Sequence, residues 1–295
     1  MANAMFCGIG CALATPFRDG RTDFEAFERL ALRQLDAGTD ALIVCGTTGE
    51  PCALSDGEAL ELTRRARNLA KGRVPVIAGA GANDTAKAVQ RAKMQREAGA
   101  DALLCVTPYY NRANQEGLIR HFSEIADAVD APVILYNVPA RTGVNLLPKT
   151  VETLLKHPNI QGVKEASADM KQIAELLRLC RDGCHVYCGS DEMTLPFLSM
   201  GACGAISVVS NIAPELARRV WERARKNDWA GARSAQEALL PLIRALFSDV
   251  SPIPLKAALS MQGLIKDELR LPLTPLDAEK RGVLRAEMER LRLLP

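Results

Sequence analysis

The 295-residue sequence is poor in the side chains that most often carry chemistry or mark a large partner, with three histidines, two tryptophans and four tyrosines. His121 and His157 read as helix-surface positions and His185 as the opening residue of a strand, so a histidine-centred mechanism has little to build on. No run of five like charges occurs, and 37 basic against 35 acidic side chains leave a net charge of +2. That balance excludes the electrostatic footprint of a nucleic-acid or membrane-surface binder and points to a small-molecule partner. No uninterrupted apolar run reaches the ~20 residues of a spanning helix. The N-terminal MANAMFCGIGCALATPF has no basic residue before Arg18 and ends in a Thr-Pro turn, unlike a signal peptide, although Met5 offers an alternative start behind a short leader. The expectation is a soluble cytoplasmic protein.

C-x-x-C pairs are also missing. The nine cysteines (Cys7, Cys11, Cys45, Cys52, Cys105, Cys180, Cys184, Cys188, Cys203) are odd in number and mostly sit in apolar runs such as ALIVCG and ALLCVTP. Such placement suits buried thiols in a reducing compartment better than a disulfide framework. Cys180, Cys184, His185 and Cys188 form a cluster of metal-ligating types. It lacks the close pair of a zinc site, and its last three members fall along one strand whose neighbours face opposite ways, so no metal is expected.

No G-x-G-x-x-G turn follows the first strand, which weighs against a doubly wound dinucleotide fold. What the chain does have is eight short apolar segments: CALATPF from 11, DALIVCG from 40, VPVIAGAG from 74, DALLCVTP from 101, APVILYNVP from 131, IQGVKEAS from 160, HVYCGSD from 185 and GAISVVSN from 204. They are near-continuous, as strands covered on both faces should be. Helices with start signals lie between them. Ser55-x-x-Glu58 is a capping box opening DGEALELTRRARNLAKG, and Asn83-Asp84 can cap TAKAVQRAKMQREAGA. Eight β-α units predict a (β/α)8 TIM barrel over residues 1–227. A small C-terminal helical module follows over 228–295, its helices separated by VSPIP and LRLPLTPL, with packing or oligomer contact as its expected role.

In such a barrel the site lies at the C-terminal strand ends. There the sequence places Gly46-Thr47-Thr48-Gly49-Glu50, Tyr109-Tyr110, Tyr136-Asn137-Val138-Pro139-Ala140-Arg141, Lys164 and Gly189-Ser190-Asp191. Alternation along strand six puts Ile160, Gly162, Lys164 and Ala166 on one face and Glu165 on the other, which argues against a Lys164–Glu165 ion pair. Burial penalises an ammonium, and a neutral amine attacks carbonyls, so an inward Lys164 suits Schiff-base chemistry; a phosphate-binding or salt-bridged lysine is the competing reading. The Gly46-Thr47-Thr48 turn offers hydroxyls and N–H groups to a carboxylate. Arg141 offers a fork for a second carboxylate or, alternatively, a surface salt bridge. Tyrosine and threonine hydroxyls can pass a proton between them, although a strand-end tyrosine is often only a half-buried amphipathic side chain.

The segments GTTGE, VTPYYN, YNVPARTG and GVKEAS, in that order, with ATPF at the first strand and SPIPLK in the tail, resemble the dihydrodipicolinate synthase family of lysine and diaminopimelate biosynthesis from about residue 8 to the end. The resemblance implies a cofactor-free lyase in which pyruvate forms a Schiff base on Lys164 and its enamine attacks L-aspartate 4-semialdehyde, followed by cyclisation. It implies Tyr136 as general acid/base, linked through Thr47 to Tyr110 of a neighbouring subunit. Thr47 and Thr48 would hold the pyruvate carboxylate, Arg141 would hold that of the semialdehyde, and the backbones of Gly189 and Ile206 would line the pocket. A homotetramer built from tight dimers is also implied. At the family's lysine effector site Asn83 and Tyr109 match, but Pro51, Asp56, Ala59 and Lys87 replace the usual polar, histidine and glutamate residues. Lys87 would put a cation where a carboxylate should meet the effector's amine, so weak or absent inhibition is expected. Gln161, where an aliphatic residue is usual, and Ser251-Pro252, in place of Asn-Pro, are further departures. Other Schiff-base aldolases of the superfamily, such as an N-acetylneuraminate lyase or a 2-keto-3-deoxy sugar-acid aldolase, would use Lys164 and Tyr136 equally. Arg141 and the threonine pair favour a small substrate bearing its own carboxylate. A catalytically silent binding protein and a metal-dependent aldolase are the remaining alternatives.

Overall fold

The computed structural model describes residues 6–180 and 183–295, so Met5 lies outside the described residues. Eight strands form the barrel: β1 (Gly8–Ala12), β2 (Ala41–Val44), β3 (Val76–Gly79), β4 (Ala102–Val106), β5 (Val133–Asn137), β6 (Ile160–Glu165), β7 (His185–Cys188) and β8 (Gly204–Ser207). Each pairs in parallel with the next, and β8 pairs with β1 to close the barrel. Seven strands fall within the apolar segments read from the sequence. The first is displaced: β1 starts at Gly8, not Cys11, and Leu13–Pro16 form the loop leaving it. Pro16 cannot donate to a ladder, so the chain turns there into a short hairpin, Phe17–Arg18 against Arg21–Thr22, that apolar patterning did not signal.

The strands are covered by α1 (Phe24–Asp36), α2 (Asp56–Ala70), α3 (Thr85–Glu97), α4 (Gln115–Asp127), α5 (Pro148–Leu154), α6 (Met170–Leu179), α7 (Thr194–Ser199) and α8 (Pro214–Ala224). Both halves of the Ser55–Glu58 capping box form, satisfying two otherwise orphaned donors at the start of α2. Asp84 caps α3 by accepting the Lys87 N–H at 2.8 Å. The barrel interior holds its own hydrophobic layer, including Ile43, Ile77, Leu104, Ile134, Tyr136 and Ile206. Where the strands begin, Phe6 stacks on Tyr187 with ring centroids 4.3 Å apart, and the Tyr187 hydroxyl donates to the Phe6 carbonyl. That end is plugged, which leaves chemistry to the other.

Strand β6 departs from simple alternation. Val133 pairs with Ile160 but Ile134 pairs with Gly162, so Gln161 is an extra residue in the ladder, a β-bulge. Ile160 therefore packs in the outer layer with Val163 and does not share the inner face with Gly162 and Lys164, as unbroken alternation predicted. The unusual Gln161 is the bulge residue itself.

Three more helices follow: α9 (Trp229–Leu246), α10 (Ile253–Met261) and α11 (Ala278–Arg290). Leu242, Leu255, Leu259, Leu284 and Met288 join the same outer hydrophobic layer as the barrel helices. A buried ion pair ties this module to the barrel: Lys256 Nζ lies 2.6 Å from Glu50 Oε1, with side-chain exposures of 0% and 2%. Removing one partner of such a pair costs about 3–5 kcal/mol, because the other charge is left buried and uncompensated.

Candidate active site

At the C-terminal strand ends an open cavity of about 500 Å³ is lined by Thr47, Thr48, Tyr136, Arg141, Lys164 and Gly189, among others. Lys164 is 5% exposed, and its Nζ stands 4.2 Å from the centroid of the Tyr136 ring. The adjacent Glu165 leaves the opposite face of β6. There its carboxylate accepts the Asn137 amide at 3.0 Å and the Ser167 N–H at 2.6 Å. Of the two nearby glycines, Gly189 is the one that makes room for the lysine. A Cβ on Gly162 would meet the His185 carbonyl at 3.0 Å, and one on Gly189 would meet the Glu165 carbonyl at 3.0 Å and Lys164 Cε at 3.1 Å.

The residues after β2 form a tight 3-10 turn over Thr47–Gly49, flanked by Cys45 and Glu50, both in the left-handed region at φ 53° and 52°. Two non-glycine residues there store backbone strain that the surroundings must hold. Thr48 is buried and Thr47 half-buried. The Gly49 carbonyl accepts the Thr15 hydroxyl at 2.8 Å.

Arg141 stands on a one-turn helix, Pro139–Thr142, after β5. It is exposed, donates to the Ser251 carbonyl at 3.0 Å, and has no acidic partner among the described residues. The surface salt bridge that competed for this arginine is therefore not made. Asp191 is buried and accepts the N–H groups of Val208 and Val209 at 2.9 and 2.8 Å, fixing the exit from β8; burial pushes its carboxyl above the usual range. Val208 lines the cavity, whereas Ile206 lies one step deeper in the inner hydrophobic layer. Tyr110 stands apart from this cavity, 89% exposed at φ 75°.

A second, smaller cavity of about 70 Å³ shares Thr47 and Tyr136 with the first and is walled by Pro51, Asp56, Ala59 and Arg91. Arg91 pairs with Asp56 at 3.4 Å. Asn83, Tyr109 and Lys87 lie outside its wall: the Asn83 carbonyl accepts from Asn111, Tyr109 is half-buried with its hydroxyl pushed up by desolvation, and Lys87 is exposed on α3.

His121 is not the surface residue its sequence context suggested. It sits on the buried stripe of α4 with Leu118, Phe122 and Ile125, its Nδ1 2.9 Å from the Thr85 hydroxyl, and burial pushes it down to about 4. His157 Nε2 lies 2.9 Å from Asp127, and His185 Nδ1 lies 3.2 Å from the Cys203 thiol. Among the described residues no three His, Cys, Asp or Glu side chains converge as metal ligands. The cavity also has walls that strand-end reasoning missed: Arg244, Phe247 and Ser251 reach it from the C-terminal module. Within α9, Arg244 reads as an ordinary polar-face residue, and no local signal marks it out.

Residues 5–291 match the model of the dihydrodipicolinate synthetase family. A 4-hydroxy-tetrahydrodipicolinate synthase of Caldicellulosiruptor bescii is 47% identical over 96% of both chains. Among solved structures, the dihydrodipicolinate synthase of Thermotoga maritima superposes with a TM-score of 0.97 at 41% identity, over 99% of this chain and 100% of that one. The chloride-inhibited dihydrodipicolinate synthase of Acinetobacter baumannii, complexed with pyruvate, has a TM-score of 0.95 at 39% identity over 98% and 99% of the two chains.

Proposed function

Because the chain belongs to the dihydrodipicolinate synthetase family, we propose a division of labour among its own cavity residues. Its activity is that of a 4-hydroxy-tetrahydrodipicolinate synthase, a lyase of lysine and diaminopimelate biosynthesis. The carrying observation is Lys164: a nearly buried amine over the Tyr136 ring, in a cavity also lined by Arg141, which has no acidic partner among the described residues.

Lys164 Nζ attacks the carbonyl carbon of pyruvate, and loss of water leaves an iminium. That iminium withdraws electrons as the methyl carbon gives up a proton, and the resulting enamine forms a carbon–carbon bond to the aldehyde of L-aspartate 4-semialdehyde. The aldehyde oxygen takes a proton as the bond forms, and cyclisation with release of Lys164 completes turnover. Tyr136 serves as general acid/base, relayed through Thr47 to Tyr110 of a neighbouring subunit. Thr47 and Thr48 hold the pyruvate carboxylate, Arg141 grips that of the semialdehyde, and the backbone of Gly189 lines the pocket, with Ile206 one step deeper in the inner layer. Borohydride reduction in the presence of pyruvate should add one reduced pyruvyl group, located on Lys164 by peptide mass mapping. Absence of the adduct, or its location elsewhere, ends this reading.

Gly189 gives a further check on the lysine's placement. Gly189→Ala should lower kcat/KM by about 10²-fold, the scale of an ångström-sized misplacement of a reacting group. Circular dichroism should show the fold retained; wild-type rates would mean the lysine stem has slack at Cε.

The exposure and positive φ of Tyr110 suit a side chain offered to another subunit, and we assign a homotetramer built from tight dimers, testable by analytical ultracentrifugation. A cytoplasmic location accords with the buried thiols. Free L-lysine is expected to inhibit weakly or not at all, since Ala59 and Lys87 replace the groups that would receive it. Half-inhibition below about 1 mM, where binding is worth about −4 kcal/mol, contradicts this.

A further inference from the structure

Two sequence motifs, ATPF and SPIPLK, take no part in the chemistry above, yet both converge on the turn that carries Thr47 and Thr48. From ATPF, the Thr15 hydroxyl holds the Gly49 carbonyl at 2.8 Å. The buried Phe17 ring lies under Lys256 Nζ, 4.0 Å from its centroid. From SPIPLK, Lys256 reaches Glu50 at 2.6 Å and Ser251 offers its carbonyl to Arg141. Arg270, later in the module, adds its N–H to Glu50 at 3.4 Å and its guanidinium to the Ala53 carbonyl at 2.8 Å.

Glu50 is the residue whose left-handed backbone ends the Thr47–Gly49 turn, and its N–H closes that turn onto the Thr47 carbonyl at 3.2 Å. A left-handed glutamate between two 3-10 turns persists only when its surroundings over-determine it. Here its side chain is held by a lysine from α10, a helix about 200 residues later. Burial pushes the Lys256 ammonium down while the Glu50 charge pulls it back up, so the pair is held together at some desolvation cost. A purely structural tether would not need charges, since apolar side chains of similar volume often serve as well in such positions.

We propose that Lys256 and Glu50 are a positioning pair for pyruvate recognition, by which the C-terminal module fixes the Thr47–Thr48 turn at the geometry its carboxylate contacts require. The pair touches no substrate and acts through the turn. This rests on the reading of Thr47 and Thr48 as the pyruvate carboxylate site. It gives the module a catalytic consequence beyond the packing or oligomer contact expected from its sequence.

The test uses the full-length chain with Lys256→Met, Glu50→Gln and the double variant, each measured for thermal midpoint and for kcat/KM toward pyruvate and toward the semialdehyde. A covalent intermediate separates the two half-reactions, so kcat/KM for pyruvate reports only the first. The double variant, which removes both buried charges, should recover most of the thermal midpoint that Lys256→Met loses. It should nonetheless retain a drop of about tenfold or more in kcat/KM for pyruvate, with less than about threefold for the semialdehyde, because the turn is misplaced while the fold is not. If Lys256→Met gives no folded protein, Glu50→Gln and the double variant carry the comparison. Equal proportional losses for both substrates, or a double variant with wild-type kcat/KM for pyruvate, overturn the positioning role. Thr48→Val separates this failure from failure of the underlying reading. A loss of pyruvate recognition in Thr48→Val with none in the double variant overturns only the pair, whereas an unaffected Thr48→Val removes the carboxylate site and the pair's role with it.

Discussion

Lys164→Met is expected to abolish borohydride-dependent labelling by pyruvate and to lower kcat by at least about 10⁴-fold, the scale on which removal of a covalent nucleophile acts. Methionine keeps most of the stem's length and its contact with the Tyr136 ring, so the loss isolates the amine. The variant should remain folded, with a thermal midpoint close to that of the wild type. Glu165 and Asn137 bond to each other on the far face of β6 and lose nothing when the amine goes. The buried Asp191 is the acidic group through which a stability effect would come, since the Lys164 charge favours its ionised form. Steady-state rates, intact-protein mass after borohydride and a thermal melt check the three parts. A residual rate within about 10² of the wild type would mean that another group supplies the nucleophile or that chemistry does not pass through an iminium, because general acid–base effects alone account for losses of that size.

Tyr136→Phe should lower kcat by about 10²–10⁴-fold, the usual contribution of a positioned general acid or base. The ring belongs to the inner hydrophobic layer and lies under the Lys164 amine, so phenylalanine preserves the packing and removes only the hydroxyl. Labelling of Lys164 by pyruvate should then be slowed but still reach completion, since the amine can add to the carbonyl without the relay. This separates the two predictions: the lysine variant gives no adduct at any time, and the tyrosine variant gives the same adduct late. A loss of less than about tenfold would place proton transfer on another group, below the range such catalysis normally contributes.

The barrel was legible in the chain because its strands are buried on both faces and so read as apolar runs between capped helices. The capping box of α2 and the Asp84 cap of α3 form where the sequence put them. Lys164 could be assigned to the inner face because side chains alternate, yet Ile160, four residues earlier in the same strand, was misplaced. A bulge changes the parity of alternation, and nothing local to Gln161 announces one. His121 failed for a related reason: a polar side chain on an amphipathic helix reads as exposed unless a partner such as Thr85 can be anticipated from another element.

What the sequence determined by itself was therefore local and periodic: eight strands, their helices, the inward lysine, and the cluster of hydroxyls and an arginine at the strand ends. What only the tertiary structure decided was which distant segments complete that cluster. The Phe17 ring, the Lys256–Glu50 pair and the Ser251 carbonyl meet the site across more than a hundred residues of chain, and Arg244 and Phe247 wall it from a helix that looks ordinary. Periodicity reports the face a residue presents to its own element's neighbours. Which buried charge it meets there is set only when the barrel closes and the C-terminal helices fold back onto it.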